Sequence, residues 1–312
     1  MIQQLGNAGQ IFGGSDIPGF YGNPTDDLYV MFYQAGGWYP FMRAHSQSVD
    51  TPFLYQDREP WMQTSRVREA IRNAINLRYD LILYIYTTFE NAARTAEPLV
   101  RPMWHEFPDE TRFWNVASQF MFGSGLLVAP KVTKPKGVLE HVHMQQVTYA
   151  LPLNETWYHF YNKTRVAGTP QGQWVTEALP DLEQAVYVRG GQILPILQHD
   201  DCMALLPCLK NNVSLEVYPS ETVSASGALY IDDGTSFDYK SSSANYTRVT
   251  FYMNAGALRA VVDTGGTYSQ PFVNRVIFYG WQSSPKLVTN SLGTSLTFIY
   301  VDTTQTLYIQ LA

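Results

Sequence analysis

Arg43 and His45 stand two residues apart in "WYPFMRAH", and Asp16 follows a Gly-Gly-Ser run in "IFGGSDIPGF". Aromatic residues crowd both stretches: Phe20, Tyr21, Phe32, Tyr33, Trp38, Tyr39 and Phe41. A carboxylate, a guanidinium and an imidazole among aromatic faces suit a polyhydroxylated ligand such as a sugar. Hydroxyls take charge-assisted hydrogen bonds, and the apolar face of a sugar packs on a ring. The same residues also have plainer uses. Asp16 can cap or pair, and His45 can be a satisfied core histidine, so spacing alone leaves both readings open.

The elements around these residues give them a place. "GQIFGGSDIPGF" reads as a strand ending in a loop, with Gly13-Gly14 permitting close backbone approach and Pro18-Gly19 as punctuation. Thr25 or Asp26 then caps a helix through "TDDLYVMFYQAGGW", stopped by Gly36-Gly37. "WYPFMRAH" is a second short strand, so the order is strand, helix, strand, with ligand-type residues after each strand. Val67, Ile71, Ala74, Ile75, Ile82, Ile85 and Phe89 recur at helical spacing and predict one long helix over 64–95, closed by Pro98. In a βα barrel, ligand groups gather at the C-terminal ends of the strands.

From residue 98 the period changes. "GLLVAPKV", "QAVYVRGGQILPIL", "VSLEVYP", "GALYIDD", "YTRVTFYM", "LRAVVD", "VNRVIFYGW" and "LYIQLA" are strand-like runs parted by Gly, Pro, Ser, Asn and Asp, the pattern of β-sandwiches. The expected fold is α/β plus all-β: the C-terminal end of a (β/α)8 barrel over 1–97, a proximal β-sandwich over 98–197 and a distal one over 198–312. Eight βα units need about 250 residues, and two are present, so the remainder of such a barrel is expected before Met1.

Composition excludes some partners. Net charge is −6 and no Lys/Arg run exceeds two residues, which argues against nucleic acid and against an anionic membrane surface. No stretch of 18 apolar residues occurs to span a bilayer. Cys202 and Cys208 are too few for a metal site; they are either a small disulfide loop or two free thiols. Asn154, Asn162, Asn212 and Asn245 each begin an Asn-x-Ser/Thr sequon, which favours passage through the secretory pathway. The N-terminus has no signal-peptide pattern, so Met1 is not expected to be the natural start.

The blocks "FGGSDIPGFYGNP", "YQAGGWYPFMRAH", "REPW", "NLRYDLILYIYT", "PLVRPMWHEFP", "SQFMFGSGLLVAPKV", "VYVRGGQILPI" and "LYIDDGTSFDY" occur in this order. Together they resemble glycoside hydrolase family 31, the retaining α-glucosidases, and "RAH" with "REPW" resembles the branch holding endoplasmic-reticulum glucosidase II. The resemblance implies that "GGSDIPGF" and "WYPFMRAH" are barrel strands seven and eight, and that the chain is the C-terminal portion of such an enzyme. It implies that His45 binds hydroxyls of the glucose being cleaved, that Asp16 supports the same subsite, that Phe20 walls it, and that Arg43 is a buried salt-bridge arginine beside it. Arg58 and Glu59 of "REPW" read as structural, one role being an ion pair that ties the last loop to the barrel. "RGG" at Arg189–Gly191 and "DDG" at Asp232–Gly234 read as structural turns.

A retaining glycosidase needs two carboxylates about 5–5.5 Å apart. The family's nucleophile and acid/base motifs precede strand seven, and none of the seven tryptophans here begins the nucleophile motif. The resemblance therefore implies a chain that is inactive alone, with no catalytic residue of its own. It further implies a glucose-terminated oligosaccharide or N-glycan as substrate, no cofactor and no metal. The implied partners are the missing N-terminal part and a non-catalytic β subunit, in the endoplasmic reticulum lumen or another secretory compartment. Gln47 stands where the branch often has a second histidine, the segment from Asp50 to Arg58 is longer than usual, and Leu83 replaces a proline. Two other readings are a naturally short, non-catalytic carbohydrate-binding or assembly protein, and another family 31 activity, α-xylosidase or glucan lyase.

Overall fold

The structure, a computed structural model, describes residues 1–47, 58–132, 144–166, 172, 174–198, 211–265 and 273–311. Asp50, Cys202 and Cys208 lie outside the described residues. The described residues form two compact units. The first holds Met1–Arg78, Thr95–Leu153 and Pro170–Tyr187; the second holds Tyr79–Arg94, Asn154–Thr169 and Val188–Ala312.

The first unit begins with helix α1 (Ile2–Asn7), strand β1 (Asp16–Ile17), helix α2 (Asp26–Gly36) and strand β2 (Arg43–Ala44). Thr25 caps α2 by accepting the Leu28 amide at 3.4 Å, and Asp26 and Asp27 complement the positive end of the helix. Gly36 seats the helix on β1, because a Cβ there would fall 2.2 Å from the Ile17 Cδ1. Ile17, Tyr29, Val30 and Tyr33 pack with Val67, Ala70, Ile71 and Ala74 of α3 (Ser65–Asp80) in one apolar core. Each large side chain so buried stabilises by about 1.5–3 kcal/mol.

The expected single helix over 64–95 is instead two, α3 and α4 (Ile82–Thr95), parted at Leu81. Their apolar residues serve separate cores. Val67, Ile71 and Ala74 fill the core just described, whereas Leu83 enters the core of the second unit with Ile193, Leu215, Val217 and Phe278. Periodicity counts apolar positions but does not say which core receives them.

Past α4, the first unit carries the antiparallel strands β3 (Val100–Pro102), β4 (Phe120–Phe122) and β5 (Leu126–Ala129). Short helix α5 (Met103–Glu106) follows β3. Strand β6 (Met144–Ala150) alternates exposed and buried residues and pairs antiparallel with β9 (Trp174–Pro180). In the second unit β7 (Trp157–His159) and β8 (Arg165–Val166) form a hairpin. Strand β10 is Ala185–Arg189.

The rest of the second unit is one eight-stranded mixed sheet. Its strands are β11 (Gln192–Leu197), β12 (Val213–Tyr218), β13 (Ser224–Ile231), β14 (Thr247–Asn254), β15 (Ala257–Gly265), β16 (Val273–Phe278), β17 (Phe298–Val301) and β18 (Thr306–Gln310). They lie in the order β15-β14-β13-β11-β12-β16-β18-β17. At the "DDG" turn, Asp232 is 6% exposed and accepts from Tyr86 at 2.7 Å, Tyr230 at 3.0 Å and the Gly234 amide at 2.8 Å. At the "RGG" turn, Arg189 pairs with Glu155, and the two glycine amides donate to Thr156 and Tyr218 carbonyls at 2.6 Å.

Candidate functional site

Strands β1 and β2 run parallel, with Asp16 opposite Arg43 and Ile17 opposite Ala44. Backbone bonds extend the pairing at both ends. The amides of Phe41, His45 and Gln47 donate to the carbonyls of Gly13, Ile17 and Phe20, each at 3.1 Å. The contact is so close that a Cβ on Gly14 would lie 1.9 Å from the Phe41 oxygen, so only glycine fits. This fixed register brings Asp16, Phe20, Arg43 and His45 together.

Within the cluster, Arg43 Nη2 lies 2.6 Å from Asp16 Oδ1, and its guanidinium stands 5.6 Å from the centre of the Phe41 ring. The rings of His45 and Phe20 are 5.6 Å apart and tilted by 31°, and Tyr21 meets Phe20 edge-on at 4.8 Å. His45 is exposed, and Asp16 and Phe20 are half-buried. Arg43 forms the anticipated salt bridge, but its side chain is 49% exposed rather than buried.

Three residues hold the cluster without joining it. Arg78 Nη1 donates to the Gly37 and Tyr39 carbonyls at 2.8 Å, and its Nη2 to Pro40 at 3.2 Å, anchoring the chain that leads into β2. Arg58 donates to the carbonyls of Gly19, at 2.6 Å, and Gly22. It thus ties down the loop after β1 through backbone oxygens. Gly14 is the third. Arg78 had no signal in the sequence beyond its place on the polar side of a helix, because backbone carbonyls leave no pattern of side-chain types.

The arrangement offers an imidazole and a guanidinium as hydrogen-bond partners, one carboxylate already engaged, and an aromatic wall. It can hold hydroxyls against an apolar face. Asp16 is the carboxylate of this cluster, so the cluster supplies no carboxylate pair for a displacement at carbon. Among the described residues no group of three or more His, Cys, Asp or Glu could hold a metal ion, and no helix is long and apolar enough to cross a membrane. The four sequon asparagines lie elsewhere, in the second unit.

Two descriptions of one family match the chain in order: the glycosyl hydrolases family 31 TIM-barrel domain over residues 1–88 and the glycosyl hydrolase family 31 C-terminal domain over residues 96–194. The chain belongs to glycoside hydrolase family 31. Among its relatives, the probable glucan 1,3-alpha-glucosidase of Arabidopsis thaliana is 37% identical over 92% of this chain and 29% of that protein. Human neutral alpha-glucosidase C is 32% identical over 93% of this chain and 30% of that protein. A crystal structure of an ER glucosidase II heterodimeric complex, comprising the catalytic subunit and the binding domain of the regulatory subunit, matches with a TM-score of 0.82. It is 25% identical and covers 99% of this chain and 34% of that chain. The chain thus spans about 30% of the length of the curated relatives it matches.

Proposed function

We propose that this chain is the C-terminal part of a retaining α-glucosidase and supplies the wall of its glucose subsite. His45 and Arg43 hydrogen-bond hydroxyls of the terminal glucose, Asp16 orients Arg43 and accepts from a hydroxyl, and Phe20 packs on the sugar face. The nucleophile and acid/base come from a preceding part of the enzyme. The observation that carries this reading is the Asp16–Arg43–His45–Phe20 cluster at the ends of two parallel strands, in a chain of family 31. Strands β1 and β2 then act as barrel strands seven and eight, with parts at 1–97, 98–197 and 198–312. The substrate is a glucose-terminated oligosaccharide or N-glycan, and the setting is the endoplasmic reticulum lumen, with a non-catalytic subunit as partner. The heterodimeric relative supports the last two points.

Two measurements test it. Residues 1–312 alone are expected to release no product from an aryl α-glucoside; turnover above a His45→Ala control overturns the reading. In the full-length enzyme carrying this segment, His45→Ala is expected to lower kcat/KM by about 10²-fold, close to 2.7 kcal/mol of transition-state stabilisation. An unchanged kcat/KM removes His45 from the subsite.

A further inference from the structure

The four sequons share one chemistry but sit in different surroundings. In Asn154-Glu155-Thr156 the threonine is 3% exposed and its hydroxyl donates to Glu221 at 2.8 Å. In Asn212-Val213-Ser214 the serine is 2% exposed within β12, and its Oγ accepts from Gln198 at 2.8 Å and Arg275 at 3.0 Å. In Asn245-Tyr246-Thr247 the threonine is 5% exposed, and the asparagine Nδ2 itself donates to the Asp238 carbonyl at 2.9 Å. A glycan on that nitrogen would cost the turn a donor.

Asn162-Lys163-Thr164 is different. Asn162 and Thr164 are both exposed, at the tip of the β7–β8 hairpin. Among the described residues neither the Asn162 Nδ2 nor the Thr164 hydroxyl has a partner. The Asn162 Oδ1 accepts the Thr164 amide at 2.9 Å, which fixes the acceptor amide by its oxygen alone. The residue between them holds the turn in place. Lys163 Nζ donates to Glu216 at 2.9 Å and to the Tyr218 hydroxyl at 3.0 Å. It lies 4.5 Å from the ring centre of Phe160 and 5.2 Å from that of Tyr279. One sequon residue is locked into the unit while its two neighbours are presented to solvent.

We infer that Asn162 is an N-glycosylation site of this protein. The inference rests on the secretory setting proposed above. In the modification, the Asn162 Nδ2 bonds to the anomeric carbon of a sugar carried on a lipid pyrophosphate. The carbon–oxygen bond to the pyrophosphate breaks, and the amide loses one proton. The bound glycan projects from the hairpin tip and displaces no contact of the folded unit.

The test is glycopeptide mapping by mass spectrometry of the full-length protein, made in a eukaryotic cell behind a secretion signal, and of the natural protein from its own cells. The expected result is a glycan on the peptide bearing Asn162. It is lost completely in Asn162→Gln and Thr164→Ala and kept in Thr164→Ser and Asn245→Gln. A secreted protein glycosylated at other sequons but bare at Asn162 overturns the site. A glycan at Asn162 in the signal-directed protein, with none on the natural one, supports the site and overturns the secretory setting instead.

Discussion

The Asp16–Arg43 and Glu216–Lys163 pairs, each a carboxylate and a cation beside aromatic rings, have opposite fates. At the strand ends of the first unit, Asp16 and Arg43 meet at 2.6 Å with half of the arginine side chain in solvent. In the second unit, Glu216 receives Lys163 at 2.9 Å, Tyr279 at 3.0 Å and Tyr218. There Lys163 and Glu216 are 21% and 11% exposed, and burial together with the Glu216 charge raises the Tyr218 hydroxyl well above its ordinary range. The residue types are nearly the same. The buried pair spends its hydrogen-bonding capacity on the protein, whereas the open pair leaves part of its capacity facing solvent. Exposure and free donors, more than residue identity, separate the proposed site from the scaffold.

Four experiments would break or sharpen that contrast, and the largest effect belongs to the enclosed pair. Glu216→Ala strands three donors in a buried site and is expected to destabilise the fold by about 3–5 kcal/mol, read from denaturant midpoints. A loss under 1 kcal/mol would show the pair to be as dispensable as an exposed one.

Next comes a buried cation with a neutral acceptor. Lys131 is 1% exposed and donates to the Pro180 carbonyl at 2.5 Å, and burial lowers its ammonium from 10.5 to about 8. Asp181 and Glu183 oppose that shift without cancelling it. Between about pH 8 and pH 10.5 the unfolded chain holds the extra proton, so raising pH through that window favours the fold, by up to about 3 kcal/mol. Lys131→Met lacks this gain. Relative to the variant, the wild type should therefore gain stability from pH 8 to 10, measured by unfolding at each pH; a constant difference contradicts the burial argument.

Gly14→Ala forces a methyl onto the Phe41 carbonyl and should cost about 1–3 kcal/mol. It should also raise KM in the full-length enzyme, because the β1–β2 register positions His45. The smallest effect falls on the open pair. Asp16→Asn should change stability by less than about 1 kcal/mol while weakening sugar binding in the full-length enzyme by about tenfold. Equal effects on stability and binding would make Asp16 a scaffold residue after all.

Much of the frame was legible in the chain. The Thr25 cap, the acidic first turn and the Gly36-Gly37 stop define α2 within a few residues, since capping and backbone freedom are local. The β-rich character after residue 98 followed from short apolar runs between turn residues, although β3, β4, β6, β7, β8, β9 and β17 were not among the runs anticipated. The candidate cluster was legible as residue types, through Asp16, Phe20, Arg43 and His45.

Tertiary structure decided the rest, because each remaining point depends on atoms far apart in sequence. It divided the apolar stripe of 65–95 between two cores and so broke the helix at Leu81. It set β11 beside β12 and β13 in the middle of the large sheet. It left Arg43 open where a buried arginine was expected, and it gave Arg58 and Arg78 backbone carbonyls to hold. It also set one of four identical sequon patterns apart, since solvent exposure and the occupancy of a donor arise only when the chain has packed. The sequence by itself determined which groups are available; packing determined which of them remain free.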